Sequence, residues 1–302
     1  MGFLEEAAAG RAAQFVWRTG GLVDQRRMAL LTGAGTAAGV REAVLAHRTG
    51  DGGFAFAIEP DVKGPQAQPL SAMSALEILA EAGVLDQATG AGVCDWLARH
   101  TAADGGVPDL LASIAAYPHP PWVQAPPQDR GGLLTTARTA GVLRAAGVEH
   151  AWIEGAAAFA RARIDALEAT HPYEAFSIIA FLGSEPDRAW ADRAAARVRD
   201  LVRDTCVVLD PARMDEAEAP AGYAPGEHHV ACDFAPGPES AAAAWFTAAE
   251  LRASLEHLAG EQAGDGGWPI HYRRWHPGIE QQARPGFTVR AVRTLRAWEG
   301  RV

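Results

Sequence analysis

Residues 51–54, Asp-Gly-Gly-Phe, decide the fold, because the same tripeptide followed by an apolar residue returns at 104–107 and 265–268. The first two copies start 53 residues apart and the last two 161 residues apart, close to three periods of 53. At this period two units lie between the second and third copies, and both have lost the tripeptide. A fixed period of this length is typical of repeat architectures, in which each unit buries its apolar face against a neighbour. At this period the chain holds between five and six units.

Helical periodicity fills the intervals between these turns. A helix-like stretch precedes the first turn, and apolar residues at helical spacing follow it, with Ser71 as the predicted N-cap and Gly83 just past the end. A short apolar run at 205–209 is the one strand candidate. The predicted helices are 36–48, 71–82, 87–100, 133–146, 152–167, 173–182, 187–205, 247–262 and 287–298.

Two kinds of helix alternate along the chain. The stretch 187–205 carries charged residues on one face, whereas 173–182 is apolar nearly all round and must be buried on every side. Polar helices outside and apolar helices inside are the pattern of a double ring. We therefore predict an all-α fold, a single α/α toroid of about six helical hairpins that forms one domain over residues 1–302.

Composition excludes several classes of protein. The chain has 302 residues, 48% of them hydrophobic, and a net charge of -10, and Lys63 is its only lysine. It has no basic stripe for a nucleic acid backbone. Its three cysteines are an odd number without close spacing, which argues against a disulfide framework and fits a reducing compartment. The N-terminus has acids where a signal peptide has a basic flank, and no apolar run is long enough to span a bilayer. We expect a cytoplasmic protein, whose oligomeric state the sequence leaves open.

The turns and the helices that follow them resemble the repeat of the α/α toroids of terpenoid cyclases and protein prenyltransferase β-subunits. The segment 261–268 (EQAGDGGW) before 286–298 carries the best match, and 47–61 before 69–83 the second. The segment 47–61, PHPPW at 118–122 and DGGWP are more narrowly similar to bacterial single-toroid proteins described as prenyltransferase-like or squalene cyclase-like. The resemblance implies an isomerase or lyase that acts on isoprenoids.

The acid motifs of those enzymes are absent from the sequence. Neither the Asp-x-Asp-Asp motif of squalene-cyclase-type enzymes nor the metal-binding Asp-Asp-x-x-Asp of ionisation-type terpene synthases occurs. An initiating acid must therefore come from other carboxyls.

Glu59 and Asp61 are the first such pair, between the first turn and the helix after it. Two carboxyls so close together, beside Phe56, favour a raised pKa and a role as general acid. The structural alternative is a turn around Pro60 in which Asp61 pairs with Lys63.

The segment 227–240 is the densest group of reactive side chains. Asp233 beside Phe234 is a candidate acid or base, and Glu174, in the first turn of the helix predicted over 173–182, is another. His229 and Cys232 are a weak alternative as zinc ligands, because adjacent Cys and Asp residues do not easily bind one tetrahedral ion. The alternatives are an ordinary proline-rich loop for 227–240 and a dipole-stabilising acid for Glu174.

Aromatic faces suit a cationic intermediate or a flat apolar ligand. Arg284, close to Arg273, Arg274 and His276, is a candidate for an anionic group, unless these cations only balance Glu280 and other acids. The acid-rich stretch 210–227 is expected to be a mobile loop or lid. The candidate substrate-binding residues are Phe56, Trp122, Tyr173, Phe176, Phe234, Trp268, Trp275 and Arg284, and the alternative role for Trp268 is packing of one hairpin on the next.

These observations lead to one main hypothesis and two alternatives. The first is an acid-initiated, non-redox cyclisation or isomerisation of a hydrophobic, isoprenoid-type substrate in a central aromatic cavity, with Mg²⁺ needed only if the substrate is a diphosphate and with no zinc. The second is a toroid that binds a lipid or an intermediate without turnover. The third is a carbohydrate-active α/α barrel.

Overall fold

A computed structural model describes residues 2–220 and 222–302, in which α-helices are joined by turns and loops. Short 3-10 helices lie at Ala112–Ala116, Pro211–Glu216 and Ala243–Trp245. No β-strand forms within these two ranges, and the predicted fold class, an all-α arrangement of helical hairpins as in an α/α toroid, is confirmed. Helices α1 to α12 span Glu6–Thr19, Leu22–Leu31, Ala37–Leu45, Pro69–Glu81, Gln87–Ala98, Leu133–Ala145, Ala151–Asp165, Pro172–Ser184, Arg188–Thr205, Ala231–Phe234, Ala248–Gly260 and Ile279–Ala297.

The chain divides into two compact units. The first comprises Met1–Thr36, Ala169–Ala175 and Ala195–Val302, and the second Ala37–Glu168 and Phe176–Ala194. In the first unit α12 packs on α1, α2 and α11, and in the second unit α6 packs on α4 and α7. The assignment of residues 1–302 to one toroidal domain stays a prediction. None of the described helices is both long and apolar enough to cross a bilayer.

Helices α8 and α9 show the two predicted patterns of burial. Helix α8 covers the apolar stretch 173–182 and buries Ile178, Phe181 and Leu182, although Tyr173 in its first turn is exposed. Helix α9 buries Val198 and Val202 along one side and exposes charged residues on the other. The sequence period therefore predicts correctly which helices are amphipathic.

The three Asp-Gly-Gly turns share one backbone conformation. In each turn the N–H of the second glycine donates to the aspartate Oδ1, at 3.3 Å for Gly53, 3.2 Å for Gly106 and 3.0 Å for Gly267. The first glycine has a φ of 100°, 91° and 93° in the three copies, a conformation that glycine adopts without the steric cost of a Cβ. The repeat predicted from the sequence is therefore present in the structure.

The second glycine of each turn packs against an aromatic ring of another helix. A Cβ at these positions would lie 2.6–2.7 Å from a ring atom, closer than packed atoms approach, so the turn has no room for a side chain. The first two turns each contact the helix that follows their own hairpin. The third turn contacts α1, the first helix of the chain, in the same way. The pairs are Gly53 with Trp96 of α5, Gly106 with Phe159 of α7, and Gly267 with Phe15 of α1.

Two local predictions were wrong. Helix α4 begins at Pro69, with Gln68 as its N-cap, because proline fits the first helical position. Ser71 is therefore a buried helical residue and not the cap. The strand candidate at 205–209 forms only an isolated bridge between Val208 and Val230, because no second pair of residues extends the ladder.

The last helix also starts earlier than predicted. Helix α12 begins at Ile279, eight residues before Phe287, and continues through Pro285. Proline usually ends a helix. Pro285 is buried, however, and it packs so close to Gly20 that a Cβ added to Gly20 would lie 3.3 Å from the Cβ of Pro285. Tertiary packing therefore overrides the local signal. Helices α1 and α2 were not among the predicted helices.

Candidate active site

Aromatic side chains from α8, α10 and the segment before α10 meet in the first unit. Tyr173, in the first turn of α8, stacks on Tyr223 with ring centroids 5.4 Å apart and an interplanar angle of 17°. His229 stands edge-on to both rings, at 5.6 Å and 6.0 Å, and lies 6.3 Å from Phe234. We call Tyr173, Tyr223, His229 and Phe234 the aromatic cluster. Tyr173 is 38% exposed whereas Phe234 is 1% exposed, so a ligand can reach the cluster at Tyr173.

A buried carboxylate positions the stacked tyrosines. The Tyr173 hydroxyl donates to Glu227 Oε1 at 2.8 Å, and the backbone N–H of Ala224 donates to Oε2 at 3.0 Å. Burial, together with the charge of Glu227, raises the pKa of Tyr173 well above its usual range, so the phenol stays protonated. Tyr223 Oη accepts from the backbone N–H of Tyr173 at 3.3 Å and lies 3.0 Å from His171 Nδ1. Glu227 is 5% exposed, so its carboxylate acts as a structural anchor.

Asp233, on the single turn of α10, is the accessible carboxyl of this site. Its Oδ2 accepts from the backbone N–H of Val230 at 2.8 Å and lies 3.8 Å from His229 Nδ1, an ion-pair distance longer than a hydrogen bond. Burial raises the pKa of Asp233, but His229, the Val230 N–H and the charge of Arg290 outweigh it and leave the pKa lowered.

Asp233 is therefore a carboxylate at neutral pH. About 36% of its side chain is accessible. An ionised carboxylate suits a cation-stabilising group, and its lowered pKa is the opposite of what a general acid requires.

The other candidates from segment 227–240 and from α8 have structural contacts. Glu174 Oε1 accepts from the Thr170 hydroxyl at 3.0 Å in the first turn of α8. The Cys232 thiol is buried and lies 3.6 Å from the Ser254 carbonyl oxygen, and burial raises its pKa well above the usual range. The alternative of zinc on His229 and Cys232 stays a prediction. Across residues 2–220 and 222–302, no group of three or more His, Cys, Asp or Glu side chains is arranged to hold a metal ion.

Glu59 and Asp61 lie in the second unit and are not part of the aromatic cluster. Glu59 Oε2 accepts from the Ser74 hydroxyl at 2.9 Å. Burial lowers the pKa of Lys63, while the charges of Asp61 and Glu59 act in the other direction. The charges of both acids therefore act on Lys63, and the pairing of Asp61 with Lys63 stays a prediction.

Three of the predicted aromatic ligands belong to the second unit as well. Phe56 is 48% exposed and has a φ of 58°, and the next residue, Ala57, has a φ of 56°. Two consecutive residues with a side chain in the left-handed region are a strained arrangement. Trp122 is exposed in a loop, and Phe176 is half-buried on α8.

Trp268 and Arg284 stabilise the third turn. The Trp268 side chain is buried, and its indole N–H donates to the Leu258 carbonyl at 2.6 Å, in agreement with the packing alternative. Arg284 lies within α12 and binds both oxygens of Asp265 at 2.8 Å, while its Nε donates to the Trp268 carbonyl at 3.1 Å. These contacts occupy the guanidinium. Trp275 is half-buried with its ring edge-on to His276 at 4.3 Å.

Four residues, three of them near the site, were missed from the sequence. Tyr223 and Glu227 fall in the stretch 210–227 that was expected to be a lid, of which Ala221 lies outside the described residues. Arg290 follows the arginines that were singled out, and its charge lowers the pKa of Asp233. Asp24 lies on α2, where burial raises its pKa despite the neighbouring Arg27. The aromatic-acidic composition of 223–234 was the only signal for any of them.

Comparison with known proteins gives a fold and no activity. No protein-family model matches the sequence, and no curated protein matches it significantly. A protein from Actinoplanes, seen in a crystal structure, shares the fold at 17% identity with a TM-score of 0.58, over 96% of this chain and 98% of that one. A variant of the type II terpene cyclase MstE from Scytonema, solved with its product merosterolic acid A, matches at 18% identity with a TM-score of 0.31, over 95% of this chain and 72% of that one. At that TM-score the second likeness supports nothing about this chain.

Fold and site together define a class: an all-α repeat protein with a partly exposed aromatic cluster and an ionised carboxylate beside it.

Proposed function

We propose that this protein catalyses a non-redox cyclisation or isomerisation of a hydrophobic, isoprenoid-type substrate through a carbocation held at the aromatic cluster. One proton adds to an alkene or epoxide at the start and one leaves at the end, so no oxidant or reductant is needed. The supporting observation is the ionised Asp233 beside the aromatic cluster, in which Tyr173 is partly exposed. Ring faces attract a cation, and a carboxylate close by stabilises it and accepts the final proton.

The phenol groups fit the same chemistry. Because the pKa values of Tyr173 and Tyr223 are raised, neither becomes a phenolate that a cation would alkylate. The hydrogen bond to Glu227 occupies the proton of the Tyr173 hydroxyl. The initial proton donor stays a proposal, and Glu174 is the predicted acid that lies in the same unit as the aromatic cluster.

The test is product analysis by mass spectrometry after incubation with linear prenyl diphosphates and prenyl epoxides, with and without Mg²⁺. We expect a cyclic or isomerised product, and we expect Asp233→Asn to lower its rate about 10²- to 10⁴-fold. Asp192→Asn, at an exposed position on α9, is the matched control and should retain full activity. Absence of product from every substrate, or full activity in Asp233→Asn, would contradict the proposal.

A second candidate function is binding of a hydrophobic ligand without turnover. The observation that favours it is the lowered pKa of Asp233, which leaves the carboxyl beside the aromatic cluster without a proton to donate. Native mass spectrometry of the purified protein would show a co-purified apolar ligand that remains chemically unchanged on incubation.

A further inference from the structure

The aspartates of the second and third Asp-Gly-Gly turns are covered by groups of their own repeats. Both oxygens of Asp104 accept from the backbone N–H of Gly131 at 3.1 Å. Both oxygens of Asp265 bind the guanidinium of Arg284 at 2.8 Å. The Cζ of Arg284 lies 4.7 Å from the centroid of the Phe15 ring, which packs on this turn. The third turn therefore contains a guanidinium site made of an aspartate and an aromatic ring.

The first turn has the same two parts without a cation of the chain between them. Trp96 packs on it as Phe15 packs on the third turn. Asp51 accepts from the Thr49 hydroxyl and, at 2.9 Å, from the Trp96 indole N–H. Burial acts to raise the pKa of Asp51, but these hydrogen bonds outweigh it, so the carboxyl is ionised at neutral pH. Arg99 donates to the backbone carbonyl of Asp51 at 2.6 Å, and among residues 2–220 and 222–302 no cation lies within ion-pair distance of the carboxylate.

Asp51 lines a cleft of about 370 Å³, a volume in the range of small-molecule sites. The cleft lies within the second unit, and Pro65, Ala67 and Leu111 give it apolar walls. Among the described residues that line it, Asp51 is the only carboxylate and none is a lysine or an arginine. The cleft therefore favours a ligand that is cationic at one end and apolar elsewhere.

His100 adds an aromatic surface and a hydrogen-bond acceptor to the cleft. Its ring lies 4.5 Å from that of Trp96, between centroids, and is half-buried, whereas Trp96 is 1% exposed. Burial and the charge of Arg99 lower the pKa of His100 while Asp51 acts in the other direction, so the imidazole is neutral at pH 7. In the described part of the chain neither ring nitrogen has a hydrogen-bond partner. A neutral imidazole has one acceptor nitrogen, which can receive an N–H of a ligand.

We propose that this cleft binds a small molecule with a guanidinium group on an apolar chain. The guanidinium donates to the oxygens of Asp51, as that of Arg284 does to Asp265, and a further N–H donates to His100. The chain of the ligand lies against the apolar walls. A guanidinium fits better than an ammonium group because its planar fork matches both oxygens of a carboxylate. The site is independent of the function proposed for the aromatic cluster, which belongs to the first unit.

The test compares three probes with the same butyl chain: butylguanidinium, butylammonium and butylurea. Butylammonium carries the charge without the fork, and butylurea is planar and neutral. Titration calorimetry on the full-length protein measures each affinity. We expect butylguanidinium to bind at least about tenfold more tightly than either of the other probes, and added salt to weaken its binding. An equal affinity for butylguanidinium and either other probe, or no binding of butylguanidinium up to about 10 mM, would overturn the proposal.

Two variants test whether the ligand lies in this cleft. Asp51→Asn removes the negative charge, and Gln66→Arg adds a tethered guanidinium at an exposed position of the cleft wall. Each should lower the affinity for butylguanidinium at least about tenfold. Because Gln66 is exposed, its replacement keeps the test decisive if Asp51→Asn unfolds the first turn.

Asp104→Asn is the matched control, because it makes the same change in the second turn of the same unit, where Gly131 covers the carboxylate. It should leave the affinity unchanged, and urea unfolding shows that each variant is folded. An unchanged affinity in either folded cleft variant, or an equal loss in Asp104→Asn, would refute binding at Asp51.

Discussion

Replacing Gly106 by alanine tests the packing that organises each repeat. A Cβ on Gly106 would lie 2.6 Å from Cζ of Phe159 and 2.8 Å from the Cα of Gly131. Phe159 is buried on α7, and a backbone atom blocks the other side, so neither neighbour can move without a shift of the hairpin. Overpacking of this kind costs about 1–3 kcal/mol, and we expect the upper part of that range.

Gly155→Ala, on α7 of the same unit, is the matched control. Nothing lies within 4 Å of a Cβ at Gly155, and alanine in place of glycine inside a helix stabilises by about 0.5–1 kcal/mol. The two variants should therefore differ by about 3 kcal/mol in free energy of unfolding. Urea unfolding followed by circular dichroism at 222 nm measures both. Equal stabilities, or a Gly106→Ala variant as stable as the parent protein, would refute the close packing of the turn.

Three further predictions concern buried groups. Replacing Glu185, which is buried between Arg144 and Arg161, by alanine should lower the free energy of unfolding by about 3–5 kcal/mol, because two cations lose their partner. Urea unfolding measures this change, and a loss below about 1 kcal/mol would contradict the prediction. The three cysteine thiols are buried and their pKa values are raised, as Cys232 illustrates, so a thiol reagent at pH 8 should label none of them before the protein unfolds. Burial raises the pKa of Asp24 despite the opposing charge and hydrogen bond of Arg27. Folding therefore favours the protonated form of Asp24. The part of the stability that depends on this group falls as pH rises above its ordinary pKa of 3.8. Thermal melts from pH 4 to pH 7 should show a flatter profile for Asp24→Asn, and an unchanged profile would count against the shift.

Helices could be predicted closely where the signal is local. Helix α5 was predicted over 87–100 and spans Gln87–Ala98, and α6 was predicted over 133–146 and spans Leu133–Ala145. Apolar spacing and glycine chemistry act within a few residues, so sequence alone carries them. Helix α12 was placed eight residues late, because the contact of Pro285 with the start of the chain is invisible to any local rule.

The site was predicted only in part. Tyr173, Phe234 and Asp233 were chosen from the sequence and do lie together with His229, which had been considered only as a zinc ligand. Their partner Glu227 lies 54 residues from Tyr173 along the chain. The sequence could not distinguish it from the many other acids of the stretch 210–227.

By itself the sequence determined the repeat, the all-α class and the positions of most helices. The repeat is visible because each Asp-Gly-Gly turn needs a positive φ and a missing Cβ. The helices are visible because the helical period decides which faces are apolar. Only the tertiary structure decided that Asp233 is ionised, that Arg284 is engaged by Asp265, and that Asp51 lines a cleft. Those properties depend on which distant charges and rings lie a few ångströms away, and electrostatic interactions at that range follow from three-dimensional distance and burial, not from order along the chain.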